Sequence, residues 1–233
     1  MNPVPLFLII LTLPLLLGGC GEREVVTEVR NGLMYIKGSE NLYTGEQLLF
    51  YENGQMEQRA NYKDGKFDGL GTSWHENGEK KEQGHYKDNK LNGLWSSWYK
   101  NGEIEQKGNF KDNKPDGLFI GWHENGQKKF QGNYKDGNLI GLHVVWYDNG
   151  QKEVETNYKE GIPHGQSQSW HKNGQKNGEE NYKDGKMDGL WVQWHENGQK
   201  RFQGNFNDGK EIIAKYWNSK GEEVDSLEEA EAE

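Results

Sequence analysis

The chain has 233 residues, with 28 basic against 37 acidic side chains, one cysteine and 32 glycines. Leu, Ile, Val and Phe together number 45, or 19%, a level at which a charged chain is ordinarily disordered, yet 9 Trp and 11 Tyr push the other way. Pro-rich disorder, collagen and an ordinary aliphatic enzyme core all fit poorly. A single cysteine excludes an intrachain disulfide framework and any Cys-based zinc site.

Residues 4–17 (VPLFLIILTLPLLL) form an apolar run that is short for a bilayer span, which needs roughly 20 residues, and Pro14 interrupts it. That length suits the core of a signal peptide. The segment Leu17-Gly18-Gly19-Cys20 resembles the lipobox of bacterial lipoproteins. The resemblance implies cleavage after residue 19 and a lipid on the Cys20 thiol, although Met1-Asn2-Pro3 carries no Lys or Arg. Plain secretion and a cytosolic chain with a mis-started N-terminus are the alternatives. Residues 1–19 are thus expected to be a lipoprotein signal peptide and 20–43 a lipidated N-terminus and linker. Gly21 stands after the cysteine instead of Asp, so the outer membrane is the expected address if the cell has two.

From there the chain repeats every 24 residues. Asn-Gly recurs as Asn53-Gly54, Asn77-Gly78, Asn101-Gly102, Asn125-Gly126, Asn149-Gly150, Asn173-Gly174 and Asn197-Gly198. Tryptophan recurs as Trp74, Trp98, Trp122, Trp146, Trp170 and Trp194. A second aromatic column runs through Tyr62, Tyr86, Phe110, Tyr134, Tyr158, Tyr182 and Phe206. A second turn follows each of these, from Asp64-Gly65 to Asp208-Gly209, with Asn89 and Asn113 replacing glycine. Asn-Gly and Asp-Gly between aromatic runs signal hairpins, and the spans between turns suit one strand each. The expected fold is all-β: tandem antiparallel β-hairpins over residues 44–221, forming an elongated twisted single sheet or solenoid-like array. A three-residue loop at each Asn-Gly pairs Trp74 with Lys80, and simple alternation then predicts Trp74 and Tyr86 on one face, a single aromatic stripe. A two-residue loop would set them on opposite faces, and the first is favoured because it collects the aromatic columns. The last copy degrades, because Trp217 comes only 23 residues after Trp194.

Units such as Gly132-Asn133-Tyr134-Lys135-Asp136-Gly137, and Gly69-Leu70 followed by Trp74-His75-Glu76-Asn77-Gly78, resemble the MORN-repeat variant family. The likeness extends to bacterial multi-repeat proteins labelled YwqK-type antitoxins, many of which carry a lipoprotein signal. It implies an array of hairpins acting as a protein-binding, dimerising or membrane-associated scaffold. No binding residue carries over, since the matching positions are framework ones.

The chemistry of the remaining residues is sparse. His75, His123, His171 and His195 share one repeat column, but His75 and His123 are four strands, or nearly ~20 Å, apart, too far for one ion. The acids of the Asp-Gly turns lack the spacing of a calcium loop, and lysines sit among them. No nucleophile with its base and no phosphate loop is present, so no enzyme activity and no cofactor is expected. Residues 222–233 hold seven acids and no base, an expected disordered tail. The rest of the chain is near neutral and gives no footprint for nucleic acid. The expected partner is an unidentified protein, a toxin under the antitoxin reading, with the membrane engaged through Cys20. A glycan-binding envelope protein is the further alternative.

Overall fold

A computed structural model describes residues 25–231 of the chain. Residues 1–19, read above as a signal peptide, and Cys20 lie outside the described residues. The chain divides into two compact units, residues 1–114 and 115–233. Almost every element is a strand.

In the first unit, β1 (Thr27–Arg30) and β2 (Leu33–Ile36) form a small hairpin. Then come β3 (Gly45–Phe50), β4 (Met56–Lys63), β5 (Lys66–Phe67), β6 (Gly69–Trp74), β7 (Lys80–Lys87), β8 (Lys90–Trp98) and β9 (Ile104–Lys111). The pairing is antiparallel throughout: β3 with β4, β4 with the short β5 and beyond it with β6, β6 with β7, β7 with β8 and β8 with β9. The second unit runs through β10 (Lys114–Trp122), β11 (Lys128–Lys135), β12 (Asn138–Trp146), β13 (Lys152–Lys159), β14 (Ile162–Trp170) and β15 (Lys176–Lys183). It ends with β16 (Lys186–Met187), β17 (Gly189–Trp194), β18 (Lys200–Asn207), β19 (Lys210–Trp217), β20 (Glu223–Val224) and the helix α1 (Leu227–Glu231). The all-β fold of 24-residue antiparallel hairpins is the one expected.

The two turns of each repeat differ in kind. At Asp64-Gly65 both residues have positive φ, 49° and 74°, which is the two-residue hairpin geometry that follows strand twist. Asn89 and Asn113 take glycine's place at φ 67°, and each side-chain oxygen accepts a bond from the preceding repeat: Phe67 N–H at 2.7 Å and Leu91 N–H at 2.6 Å. At Asn77-Gly78 only the glycine is left-handed, at 87°. His75 N–H donates to the Glu79 carbonyl and Gly78 N–H to that of His75, closing the three-residue loop.

That loop does pair Trp74 with Lys80, but Ser73 pairs with Glu82, so Lys81 is an extra residue. The bulge reverses the alternation. Tyr86 lies opposite Gly69, on the side of Gly71 and Ser73, away from Trp74. The single aromatic stripe is therefore corrected to two columns on opposite faces, and the same shift recurs at Trp98, Trp122, Trp146, Trp170 and Trp194.

On the tyrosine face the rings cover one another. Phe67 stacks on Tyr86 at 3.9 Å between centroids, and Trp95 meets Phe110 edge-on at 5.7 Å. In the second unit Phe119 meets Tyr134 at 5.9 Å, His143 meets Tyr158 at 6.0 Å, and Trp191 packs on Phe202 at 4.6 Å. The glycines before the second aromatic make room for the next strand: a Cβ on Gly84 would stand 2.6 Å from Leu91, and one on Gly132 2.7 Å from His143. Where that glycine becomes Thr156, the facing residue shrinks to Ser167, and the two hydroxyls bond at 2.8 Å.

The described stretches that flank the repeats are more ordered than the sequence suggests. Within the stretch read as a linker, Met34 is buried, its N–H donates to the Gly65 carbonyl, and Asn89 Nδ2 donates to the Gly32 carbonyl. The acidic segment is corrected from a disordered tail to β20 and α1 over its described residues. Ser226 accepts from Glu229 N–H, Glu229 in turn accepts from Asp225 N–H, and Ala230 is buried beside the Arg201–Glu231 ion pair.

Leu91 is fully buried on the tyrosine face. Leu91→Ala is expected to destabilise the protein by about 2–4 kcal/mol in a urea titration, whereas Leu94→Ala, on the exposed side of the same strand, should stay within about 0.5 kcal/mol.

Candidate interaction surface

The tryptophan face is built from single residues of each hairpin, and lysines roof its rings. Lys80 Nζ lies 5.4 Å from the Trp98 ring centre. In the second unit Lys128 covers Trp146 at 5.5 Å, Lys152 covers Trp170 at 5.4 Å, and Lys176 covers Trp194 at 5.6 Å. Each pair joins one repeat to the next, and each adds cation–π attraction to the burial of the indole. Beyond the tryptophans, toward the other end of each strand, runs a column of exposed leucines: Leu70 and Leu94 in the first unit, Leu118, Leu142 and Leu190 in the second. Leu142, the most open, is 48% exposed. Successive leucines within a unit fall two strands apart, roughly 10 Å, and Gln166 interrupts the column.

The asparagines of the Asn-Gly turns link the repeats. Asn149 Oδ1 accepts from Gln151 N–H at 3.0 Å, while its Nδ2 donates to the Lys172 carbonyl of the next turn at 2.8 Å. Asn53, Asn77, Asn125, Asn173 and Asn197 do the same. The histidine column has the same task. His75, His123, His171 and His195 each set Nε2 against the backbone carbonyl of the next tryptophan, at 2.9–3.1 Å, and Tyr51 and Tyr147 donate a hydroxyl to the equivalent carbonyl. Bonding to a carbonyl requires the Nε2–H tautomer. Among the described residues no three metal-ligating side chains cluster.

Of the positions marked in the sequence, then, the Trp column belongs to one face, the Tyr and Phe column to the other, and the Asn-Gly turns to one edge. Cys20 is outside the described residues. The sequence reading missed the leucine column and the inter-repeat bonds of Asn, His and Tyr. The leucine column was signalled by the 24-residue spacing, which returns Leu at 70, 94, 118, 142 and 190, whereas the bonds end on backbone carbonyls that carry no such signal.

The tyrosine face of the second unit carries one ionisable departure. Glu180 replaces the packing glycine and stands opposite Ser167. Burial pushes its carboxyl up, against the lowering effect of bonds from Tyr182 and Ser167. The Tyr182 hydroxyl is pushed up to about 12, by burial first and then by Glu180.

Hairpins that cover one another in series, with rings and amides passing from each repeat to the next, define a β-hairpin repeat protein. Such a fold offers an extended surface. The profile of the MORN repeat variant matches seven times, at residues 43–64, 67–88, 91–112, 115–136, 139–160, 163–184 and 187–208. The chain belongs to that family. No curated protein sequence matches the chain significantly.

Two outcomes follow. Asn149→Ala removes two hydrogen bonds and should lower stability by about 1 kcal/mol in chemical denaturation, its exposure limiting the loss. A carboxyl raised above the ordinary value of 4.5 costs stability only where it must ionise, so the cost of Glu180 grows as pH rises through its folded value. Glu180→Gln should accordingly be more stable than the parent at pH 7 and equal to it at pH 3.

Proposed function

We propose that this chain is a lipid-anchored scaffold of the bacterial cell envelope that binds a protein partner along its tryptophan face. Family membership supports the coarser statement, a repeat scaffold for protein or membrane interaction. The observation that carries the finer reading is the leucine column. Leu70, Leu94, Leu118, Leu142 and Leu190 are exposed at one repeat position, beside lysines already committed to indole rings. Regularly spaced apolar side chains on a polar face suit an extended partner that gains a small area at each repeat. The same lysines lie over the ring faces on which a sugar would stack, which favours protein over glycan. An antitoxin or immunity role rests on the YwqK-type resemblance alone.

The anchor is supported by Leu17-Gly18-Gly19-Cys20 and the apolar run before it. Several acyl chains, at ~0.8 kcal/mol per buried CH₂, would hold the protein on a membrane. Labelled palmitate and membrane recovery are expected in the parent and absent in Cys20→Ser. A soluble, unlabelled parent would remove the envelope reading. In crosslinking from whole cells, Leu118→Asp with Leu142→Asp should lose the partner bands while circular dichroism stays unchanged. Bands that persist would place the partner elsewhere.

A further inference from the structure

The last hairpin is incomplete. In the preceding repeats the strand ending in tryptophan is followed by an eight-residue antiparallel neighbour, as β17 is by β18. After β19 the chain turns back and pairs only at Tyr216 with Val224 and Trp217 with Glu223. It then leaves the edge, because Ser226 caps α1 and draws the segment into a helix near Trp194 and Arg201. Lys210 to Lys215 of β19 consequently have no strand on their outer side among the described residues. At that edge lie the two most exposed large apolar side chains of the described residues, Ile212 at 67% and Ile213 at 60%.

From this juxtaposition we infer that the outer edge of β19 is a docking site for a short extended segment of a partner protein, which adds a strand where the eighth hairpin stops. Open backbone groups beside apolar side chains are what strand addition uses. Register and charge decide the occupant. A second copy of this chain, paired antiparallel over the whole free span, would set Lys210 opposite Lys215. It would also drive its own turn at Gly209 into the place beside Tyr216 that Val224 fills. A short peptide ends before that point. Lys215 is already paired with Glu223, whereas Lys210 enters no salt bridge among the described residues. The fitting segment therefore runs antiparallel to β19, has two adjacent apolar residues facing Ile212 and Ile213, and places a carboxylate opposite Lys210. This site is at the sheet's edge and does not depend on the tryptophan-face reading.

The test uses the full chain in detergent and the peptide acetyl-Thr-Thr-Val-Val-Thr-Glu-amide, with backbone amide shifts and hydrogen exchange as readout. Shifts and added protection are expected at residues 210–215. N-methylating alternate peptide nitrogens, which removes donors without removing apolar area, should weaken binding roughly tenfold. Replacing the terminal Glu by Lys should weaken it roughly threefold, and Ile213→Lys should weaken binding with circular dichroism unchanged. The proposal is overturned if the peptide leaves residues 210–215 unaffected, or if the N-methylated peptide binds as well as the parent. It is equally overturned if Ile213→Lys instead abolishes a concentration-dependent dimer, which would make a second copy the occupant.

Discussion

The rest of the structure depends on one extra residue per repeat. Lys81 is inserted opposite Ser73 and Trp74, and the insertion reverses which side of the sheet each later side chain meets. Without it, Trp74 and Tyr86 would crowd one face and leave the other bare. With it, a sheet one layer thick carries an aromatic column on each face. Neither column needs a second layer, because the cover comes from within the sheet: ring upon ring on one side, lysine over indole on the other.

Within each unit, stabilising contacts run from one hairpin to the next. Asn149 reaches Lys172, His171 reaches Trp194, and Gly174 lies against the side chain of Gln151. Stability in such an array is a sum of small neighbour terms, so single departures are absorbed locally. The replacement of glycine by Thr156 is met by Ser167, and of glycine by Asn113 through a new bond to Leu91. The array also has ends to manage. The hairpin of β1 and β2 seals the Asp64-Gly65 turn, and β20 with α1 closes part of the last strand.

Function follows from what such a construction leaves open. The tyrosine face is spent on its own closure. The tryptophan face keeps its leucines in solvent, and the edge of β19 keeps its backbone groups. These two surfaces have different chemistry, apolar side chains in one and apolar side chains beside hydrogen-bonding backbone in the other. Under the proposed function, a scaffold with both would hold partners by shape and register.

Much of this was legible from sequence. Strict spacing of Asn-Gly, Trp and Tyr determined the seven repeat hairpins and favoured the Trp74–Lys80 pairing, because turn chemistry is local and tolerance of positive φ belongs to few residues. The 23-residue step to Trp217 announced the imperfect last copy. Three features were decided only by tertiary structure. The bulge at Lys81 depends on how two strands settle against each other, so alternation counted along one strand placed Tyr86 on the wrong side. The bonds of His75 and Asn77 end on carbonyls in the next hairpin, and carbonyls carry no sequence signature. The ordering of residues 223–231 turns on a cap at Ser226 and a buried Ala230, contacts that composition hides beneath five acids.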